Sequence, residues 1–173
     1  LDSIRQANTP KVRVFNPSMS EDGFVSDHTV VQIVNDNMPF LVDSVTMAIN
    51  RSGRTAHWIV HPLMSVVRNA DGSMASVSTV AEAKAAGRNE PLESLIMVEC
   101  DRILSAADQE ALVADLENVL SDVRKSVEDW KPMLDRIQSL SEETEKFAPT
   151  EEGRGEGVAF LRWLEDRHFT FLG

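Results

Sequence analysis

The spacing of hydrophobic and polar residues changes several times along the chain, and each change predicts a new element. Alternating or β-branched runs predict strands at 11–15, 29–34, 56–68, 73–80 and 92–103. Apolar residues three or four positions apart predict helices after residue 40, from 105 to 130, at 133–140 and at 158–166. Pro62 cannot donate to a strand ladder, so we expect a bulge or a sheet edge there. Ser105 can cap the long helix, and Gly53 can end the first one.

From Thr29 to Trp130 the predicted order is strand, helix, strand, strand, helix, where 73–80 is counted with 56–68 as the return of one hairpin. This order indicates the α+β class, with a small antiparallel sheet and helices packed on one face. The segment Lys11–Phe15 can supply the remaining strand. Helical patterns beyond this region predict a C-terminal helical extension.

The domain organisation follows from a shift in composition near residue 141. We predict one domain over residues 1–140, an acidic solvated linker over 141–157, and the start of a further domain over 158–173. The chain opens on Leu1, and from Arg167 to Gly173 it begins to alternate as a strand does. We therefore expect a piece of a longer protein, with a natural terminus that frays as the alternative.

Charge and cysteine content exclude several classes of protein. Lys and Arg number 17 against 28 Asp and Glu, which gives a net charge of −11. A chain of this charge is a poor binder of nucleic acid or of anionic membranes, because both attract positive surfaces. Its one cysteine, Cys100, rules out an internal disulfide, and no apolar run approaches the length of a membrane span. We expect a cytoplasmic protein.

The residues that could carry catalysis or bind metal have ordinary explanations. Neither a glycine-rich phosphate loop nor a nucleophile elbow occurs in the sequence. His57 and His61 lie in a β-prone run, where four residues span about 13 Å, too far for one metal ion. Cys100 lies in the apolar run LIMVEC and is expected to be a core thiol rather than a nucleophile. The charges of Glu99 and Asp101 raise its pKa and so oppose thiolate formation. We predict no catalytic, metal or cofactor site in this chain.

The polar turn between the second strand and the first helix is the candidate binding site. Asn37 can cap the helix, with Pro39 tolerated in the first turn. The backbone N–H groups at a helix start can hold a carboxylate or another anion. A well-capped helix without a ligand is the alternative. The candidate residues are Asn35, Asp36, Asn37, Met38, Pro39, Phe40 and Leu41.

The strand–helix–strand–strand–helix order, with its D-x-x-P turn, resembles the ferredoxin-like ACT domains. These are small ligand-sensing modules of amino-acid metabolism. The resemblance implies an amino-acid site at the turn, at an interface between two such domains. The family has a glycine after the proline, where this sequence has Phe40.

A longer resemblance rests on the runs NDNMPFLVDSV and FLRWLEDRHFTFLG. Both are similar to the amino-terminal part of the large bacterial NAD-specific glutamate dehydrogenases, and the similarity extends from about Lys11 to Gly173. It implies a parent enzyme that oxidises L-glutamate to 2-oxoglutarate and ammonia, with NAD bound by a domain far downstream.

This resemblance implies a regulatory and assembly region without a cofactor of its own. Its expected partners are other domains and subunits of the parent enzyme, together with an amino-acid effector. The alternative is a purely structural interaction module without a ligand site, which the bulky Phe40 favours.

Overall fold

The computed structural model describes residues 4–147, 151–168 and 171–172 of the chain. The chain divides into two compact units, Leu1–Val123 and Arg124–Gly173. Each unit is described by itself below.

The first unit mixes strands and helices, as expected of an α+β fold. Its strands are β1 (Lys11–Phe15), β2 (Thr29–Asp36), β3 (Ala56–Val60), β4 (Leu63–Arg68), β5 (Met74–Thr79) and β6 (Leu92–Cys100). Its helices are α1 (Met19–Asp22), α2 (Leu41–Arg51), α3 (Val80–Ala85) and α4 (Ala106–Glu128), the last of which continues into the second unit.

All strand pairs in the sheet are antiparallel, and the order is β1-β2-β6-β4-β5. β6 pairs with β2 along one side, while β3 and β4 share the other side. The predicted interruption at Pro62 is confirmed, because residues 61 and 62 belong to neither β3 nor β4, although the Pro62 carbonyl still accepts from the Leu95 N–H of β6 at 3.1 Å. β1 adds to the outer side of β2, so Lys11–Phe15 does supply the remaining strand.

One face of the sheet forms the hydrophobic core with α2 and α4. Alternate residues of β2 and β6 point to this face, and the two helices present residues at helical spacing to it. The core members are Val31, Ile33, Ile96, Val98, Leu41, Val45, Ile49, Leu112, Leu116 and Leu120, among others. The predicted packing of these helices on one face is therefore confirmed.

Register places two acidic side chains on the opposite face. Asp36 pairs with Glu93 across β2 and β6, three positions from the core pair Ile33 and Ile96. Successive residues of a strand point to alternate faces, so Asp36 and Glu93 both point away from α2 and α4.

Local sequence signals set two helix ends as predicted. The Ser105 hydroxyl accepts a hydrogen bond from the backbone N–H of Asp108 at 3.3 Å, immediately before α4 begins. Gly53 follows α2 with a φ of 79°, in the left-handed region that favours glycine. These two ends depend only on nearby residues, which is why sequence patterns find them.

The second unit contains α5 (Trp130–Phe147), α6 (Glu151–Trp163) and a π-helical turn (Leu164–His168). Where it is described, the predicted linker 141–157 lies within α5 and α6. Ile137 and Ser141 are buried one turn apart, so the apolar side of α5 continues while its glutamates face solvent. Gly157 allows α6 to approach α5 closely. A Cβ at this position would lie 3.1 Å from the Thr144 methyl carbon.

The strand predicted from Arg167 onward is wrong at its start, because Arg167 and His168 belong to the π-helical turn. Phe169, Thr170 and Gly173 lie outside the described residues. Among the helices of the described residues, none has the length and apolar character needed to cross a membrane.

Candidate functional site

The predicted turn is divided among three parts of the first unit. β2 runs two residues further than its pattern predicts, so Asn35 and Asp36 belong to the strand. Leu41 begins α2 and is buried in the core, only 2% exposed. Met38 and Phe40 lie in the short connection between them, half-buried and exposed respectively.

Asn37 does not cap α2, and that prediction is wrong. Its side-chain oxygen accepts a hydrogen bond from the Ser94 hydroxyl at 3.1 Å, and its backbone N–H donates to the Leu92 carbonyl. The side chain of Asn35, opposite Ser94 in the register, is fully buried. The turn is thus fastened to the end of β6, since the extra pairing of β2 moves Asn37 away from the helix start.

Phe40 takes the N-terminal position of α2 in an unusual backbone conformation. Its φ is 65° and its ψ is 6°, the left-handed region that L-residues other than glycine rarely adopt. Within the described residues no side chain caps this helix. The phenyl ring is 46% exposed. Residue 40 therefore has a backbone conformation that favours glycine, although the residue is a phenylalanine.

Replacing Phe40 by glycine is expected to give a more stable protein than replacing it by alanine. Both variants lose the half-exposed ring, but only alanine keeps the Cβ that is strained at positive φ. We expect a difference of about 1 kcal/mol in the free energy of unfolding, measured by urea titration. Equal stabilities would show that the left-handed backbone of residue 40 is not strained.

A cleft of about 350 Å³ opens at the end of the sheet, and Asp36 is the member of the predicted set that lines it. Its other polar side chains come from three separate segments of the chain. They include Arg5, Gln6, Arg68, Asn69 and Glu93. The cleft lies on the side of the sheet to which Asp36 and Glu93 point.

Two arginines and two carboxylates form a buried network beside this cleft. Arg5 Nη2 donates to Asp36 Oδ1 and to Glu93 Oε1, both at 2.7 Å. Arg68 donates from Nε and Nη2 to the two oxygens of Glu93, at 2.6 and 2.8 Å. The side chains of Arg5 and Glu93 are only 3% and 5% exposed. The network is neutral overall, as buried charges require.

Both members of the central ion pair are held in their charged forms. Burial by itself raises the pKa of Glu93, but the hydrogen bonds from Arg68 and Arg5 outweigh it, and the pKa falls below its ordinary value. Burial lowers the pKa of Arg5, and its bonds to Asp36 and Glu93 more than reverse that effect. Charge-assisted bonds therefore fix this end of the sheet at neutral pH.

The segment before β1 closes the end of the sheet over this network. The backbone N–H of Arg5 donates to the Gly72 carbonyl at 2.9 Å, and that of Asn8 donates to Asp36 Oδ2 at 2.9 Å. Gly72 has a φ of 84°, and a Cβ there would lie 2.7 Å from the Arg5 carbonyl oxygen. Only glycine fits this close approach.

Sequence reasoning selected Asp36 but missed Arg5, Arg68 and Glu93. One signal was present, because Glu93 is a charged residue beside the apolar core of the β6 run. The partners lie 25 and 88 positions away in the chain, so no local pattern joins them. An amino acid carries a carboxylate group and an ammonium group. A guanidinium can bind the first, and a carboxylate can bind the second.

The histidines pair in a way that the sequence did not predict. His57 Nε2 lies 2.7 Å from Asp101 Oδ1, and its ring lies 4.5 Å from that of His28. His61 follows β3, outside this cluster. In the part of the chain that is described, no three metal-ligating side chains converge.

Cys100 is a core residue with no exposed surface. Burial raises the pKa of its thiol to about 11, Arg54 opposes this shift, and Asp101 adds to it. The predicted direction is right, although burial contributes more than the neighbouring charge does. A thiol with this pKa is a poor nucleophile at neutral pH.

Comparisons with known proteins converge on one family. Residues 2–116 match the family model described as "Glutamate dehydrogenase, ACT1 domain". The chain is 39% identical over 167 residues to an NAD-specific glutamate dehydrogenase of Halomonas elongata, and 37% identical over 167 residues to one of Pseudomonas aeruginosa. A protein of the same name from Mycobacterium tuberculosis is 28% identical over 149 residues.

The matches cover most of this chain but little of the relatives. They span 95% of the chain for the first two relatives and 83% for the third. The chain covers only 10%, 10% and 9% of those proteins, respectively. The family match, together with the antiparallel sheet and its two core helices, shows that this chain belongs to the ACT1 domain family of glutamate dehydrogenases.

Proposed function

We propose that this chain is the amino-terminal regulatory and assembly region of an NAD-dependent glutamate dehydrogenase, and that the cleft beside Asp36 binds an amino-acid effector. The observation that carries the proposal is the cleft itself, where two guanidinium groups and two carboxylates meet at the strand end leading into the predicted turn. In this proposal the parent converts L-glutamate to 2-oxoglutarate and ammonia in the cytoplasm, and NAD binds elsewhere in it.

The size and the chemistry of the cleft support an amino acid as its ligand. A volume of about 350 Å³ lies at the lower end of the range for small-molecule sites. The effector's carboxylate would bind an arginine of the network, and its ammonium would bind Asp36, whose side chain is 27% exposed. Binding would exchange ion pairs within the protein for ion pairs with the ligand.

Regulation requires that the effector bind two conformations of the enzyme with different affinity. Asp36 of β2 pairs with Glu93 of β6 and accepts a hydrogen bond from Asn8 in the segment before β1. Exchange of the ion pairs of Asp36 would therefore change how these three parts are held together. In this proposal the regulatory part is the predicted domain of residues 1–140, the acidic segment 141–157 connects it, and residues 158–173 begin the next domain.

Replacing Asp36 by asparagine in the complete enzyme is expected to weaken the effector response while leaving basal turnover unchanged. The asparagine keeps the shape but loses the charge that binds the ammonium. We expect about a tenfold increase in the effector concentration for half-maximal response, equivalent to about 1.4 kcal/mol. Asn37→Ala tests the turn itself, and Asp115→Asn, which removes an exposed carboxylate paired with Arg51, is the control.

The effector is found first by heating the chain with each of the twenty amino acids and with 2-oxoglutarate. A ligand that binds the folded state adds about 2.7 kcal/mol of stability at about a hundredfold excess over its dissociation constant. If neither the chain nor the complete enzyme responds to any amino acid, the effector proposal is wrong. The alternative, a purely structural interaction module without a ligand site, then replaces the effector proposal. Phe40 at the family's glycine position favours this alternative.

A further inference from the structure

Three aromatic rings form an exposed stack at the end of the second unit. The Phe160 and Trp163 ring centroids are 6.3 Å apart at an interplanar angle of 15°, and those of Trp163 and His168 are 5.1 Å apart at 18°. Phe160 is 58% exposed and Trp163 is 48% exposed. We call Phe160, Trp163 and His168 the aromatic stack.

The π-helical turn places one ring of the aromatic stack, that of His168. The turn carries His168 back over Trp163, and the His168 Nδ1–H donates to the Trp163 carbonyl at 3.1 Å. Such turns are rare and recur at functional positions. Rings that are already ordered lose little conformational freedom on binding, which favours their use as anchors.

The stack is not part of the packing between α5 and α6. Among the residues of this unit whose burial is described, Ile137 and Ser141 of α5 and Val158 of α6 are the buried ones, whereas the stacked rings remain in contact with solvent. Half-exposed, ordered aromatic side chains on a helix are the usual anchors of protein interfaces, with tryptophan foremost among them.

We propose that the aromatic stack is the docking surface for the polypeptide that follows this region in the glutamate dehydrogenases. The inference rests on the proposed placement of the chain within such an enzyme. The two relatives that match 95% of this chain are about ten times longer than the matched stretch, so nine-tenths of each lies outside it. The occupant has an apolar surface that receives the rings, with polar groups at its rim.

A second copy of this chain is a less suitable occupant. Each copy carries a net charge of −11, so the long-range force between two copies is repulsive. A later segment of the same polypeptide needs no such encounter, because it is covalently attached and its effective concentration is high.

Hydroxyl-radical oxidation followed by peptide mass spectrometry tests the proposal without altering the protein. The rates for Trp163 and Phe160 are measured in the complete enzyme and in the 173-residue chain. Trp58 is also 48% exposed, and in the isolated chain it gives the rate for an indole of matching exposure. We expect Trp163 to oxidise about fivefold or more slowly in the complete enzyme, because the docked segment excludes water.

Equal rates for Trp163 in the two proteins would overturn the proposal. Protection in the isolated chain that grows with its concentration would also overturn it, since a second copy would then be the occupant. Phe160→Ala in the complete enzyme is expected to restore part of the Trp163 rate, whereas Phe147→Ala, at a position 80% exposed on α5, is expected to leave it unchanged. The effector response is measured separately, so its absence would reject the proposed regulation and leave this test intact.

Discussion

Replacing Glu93 by glutamine is expected to lower the free energy of unfolding of this chain by about 3–5 kcal/mol, the usual result of removing one partner from a buried ion pair. Glu93 accepts three hydrogen bonds from Arg5 and Arg68. The Arg68 side chain is only 16% exposed, so the cation that loses its carboxylate cannot recover its hydration. Urea unfolding monitored by circular dichroism gives the change.

The control is an ion pair of similar geometry on the surface. Arg51 donates to both oxygens of Asp115, but the side chains are 65% and 39% exposed. Asp115→Asn is expected to change stability by about 1 kcal/mol or less, because solvent screens exposed charges. We call Arg5, Asp36, Arg68 and Glu93 the Glu93 network. Similar losses of stability in both variants would show that burial does not determine how much this network stabilises the protein.

The Glu93 network also predicts how stability depends on pH. The pKa of Glu93 in the folded protein lies below its ordinary value of 4.5, since the bonds from the two arginines outweigh the effect of burial. Its stabilising contribution is complete above that ordinary value and is lost as the pH falls through the lowered pKa. Between about pH 6 and pH 3, the Glu93→Gln variant is therefore expected to lose less stability than the unaltered chain.

Replacing Leu116 by alanine is expected to destabilise the first unit by about 2–5 kcal/mol, through lost burial and the cavity left behind. Leu116 has no exposed surface and belongs to the cluster that joins α4 to the sheet and α2. The neighbouring turns of α4 hold Leu112 and Leu120 in the same core, so the helix cannot shift far to fill the space.

Leu104→Ala removes the same atoms from a surface position. Leu104 lies just before α4 and is 83% exposed, so we expect a change of about 0.5 kcal/mol or less in the same urea titration. If both leucine variants lose the same stability, α4 does not hold the sheet in the way the core packing implies.

Sequence patterns predicted most of the fold because each depends on neighbouring residues. The alternation in β2 and β6, the helical spacing in α2 and α4, and the cap at Ser105 are local features, and the structure confirms them. The cap at Asn37 failed because the end of β2 is set by its pairing with β6. That pairing adds two residues to the strand and leaves Phe40 at the helix start.

The described residues of the acidic segment 141–157 are helical. Its six glutamates indicate a solvated linker, and those of α5 are indeed exposed. Solvation of one side of a segment does not prevent the other side from packing, and Ser141 is buried while Thr144 meets α6. Charge content alone cannot distinguish a linker from the outer surface of a helix.

By itself the sequence determined the α+β class, the positions of the main strands and helices, the helix face of the core and the family, since spacing and motifs encode all of these. The tertiary structure alone decided which residues line the candidate cleft. Antiparallel pairing brings Asp36 of β2 and Glu93 of β6 together, and β4 pairs beside them. Arg5 meets Glu93 across 88 positions of sequence because its backbone is hydrogen-bonded to Gly72. Charges so far apart in the chain attract one another strongly only after folding has brought them close and reduced the screening by water. No sequence pattern therefore predicts their contact.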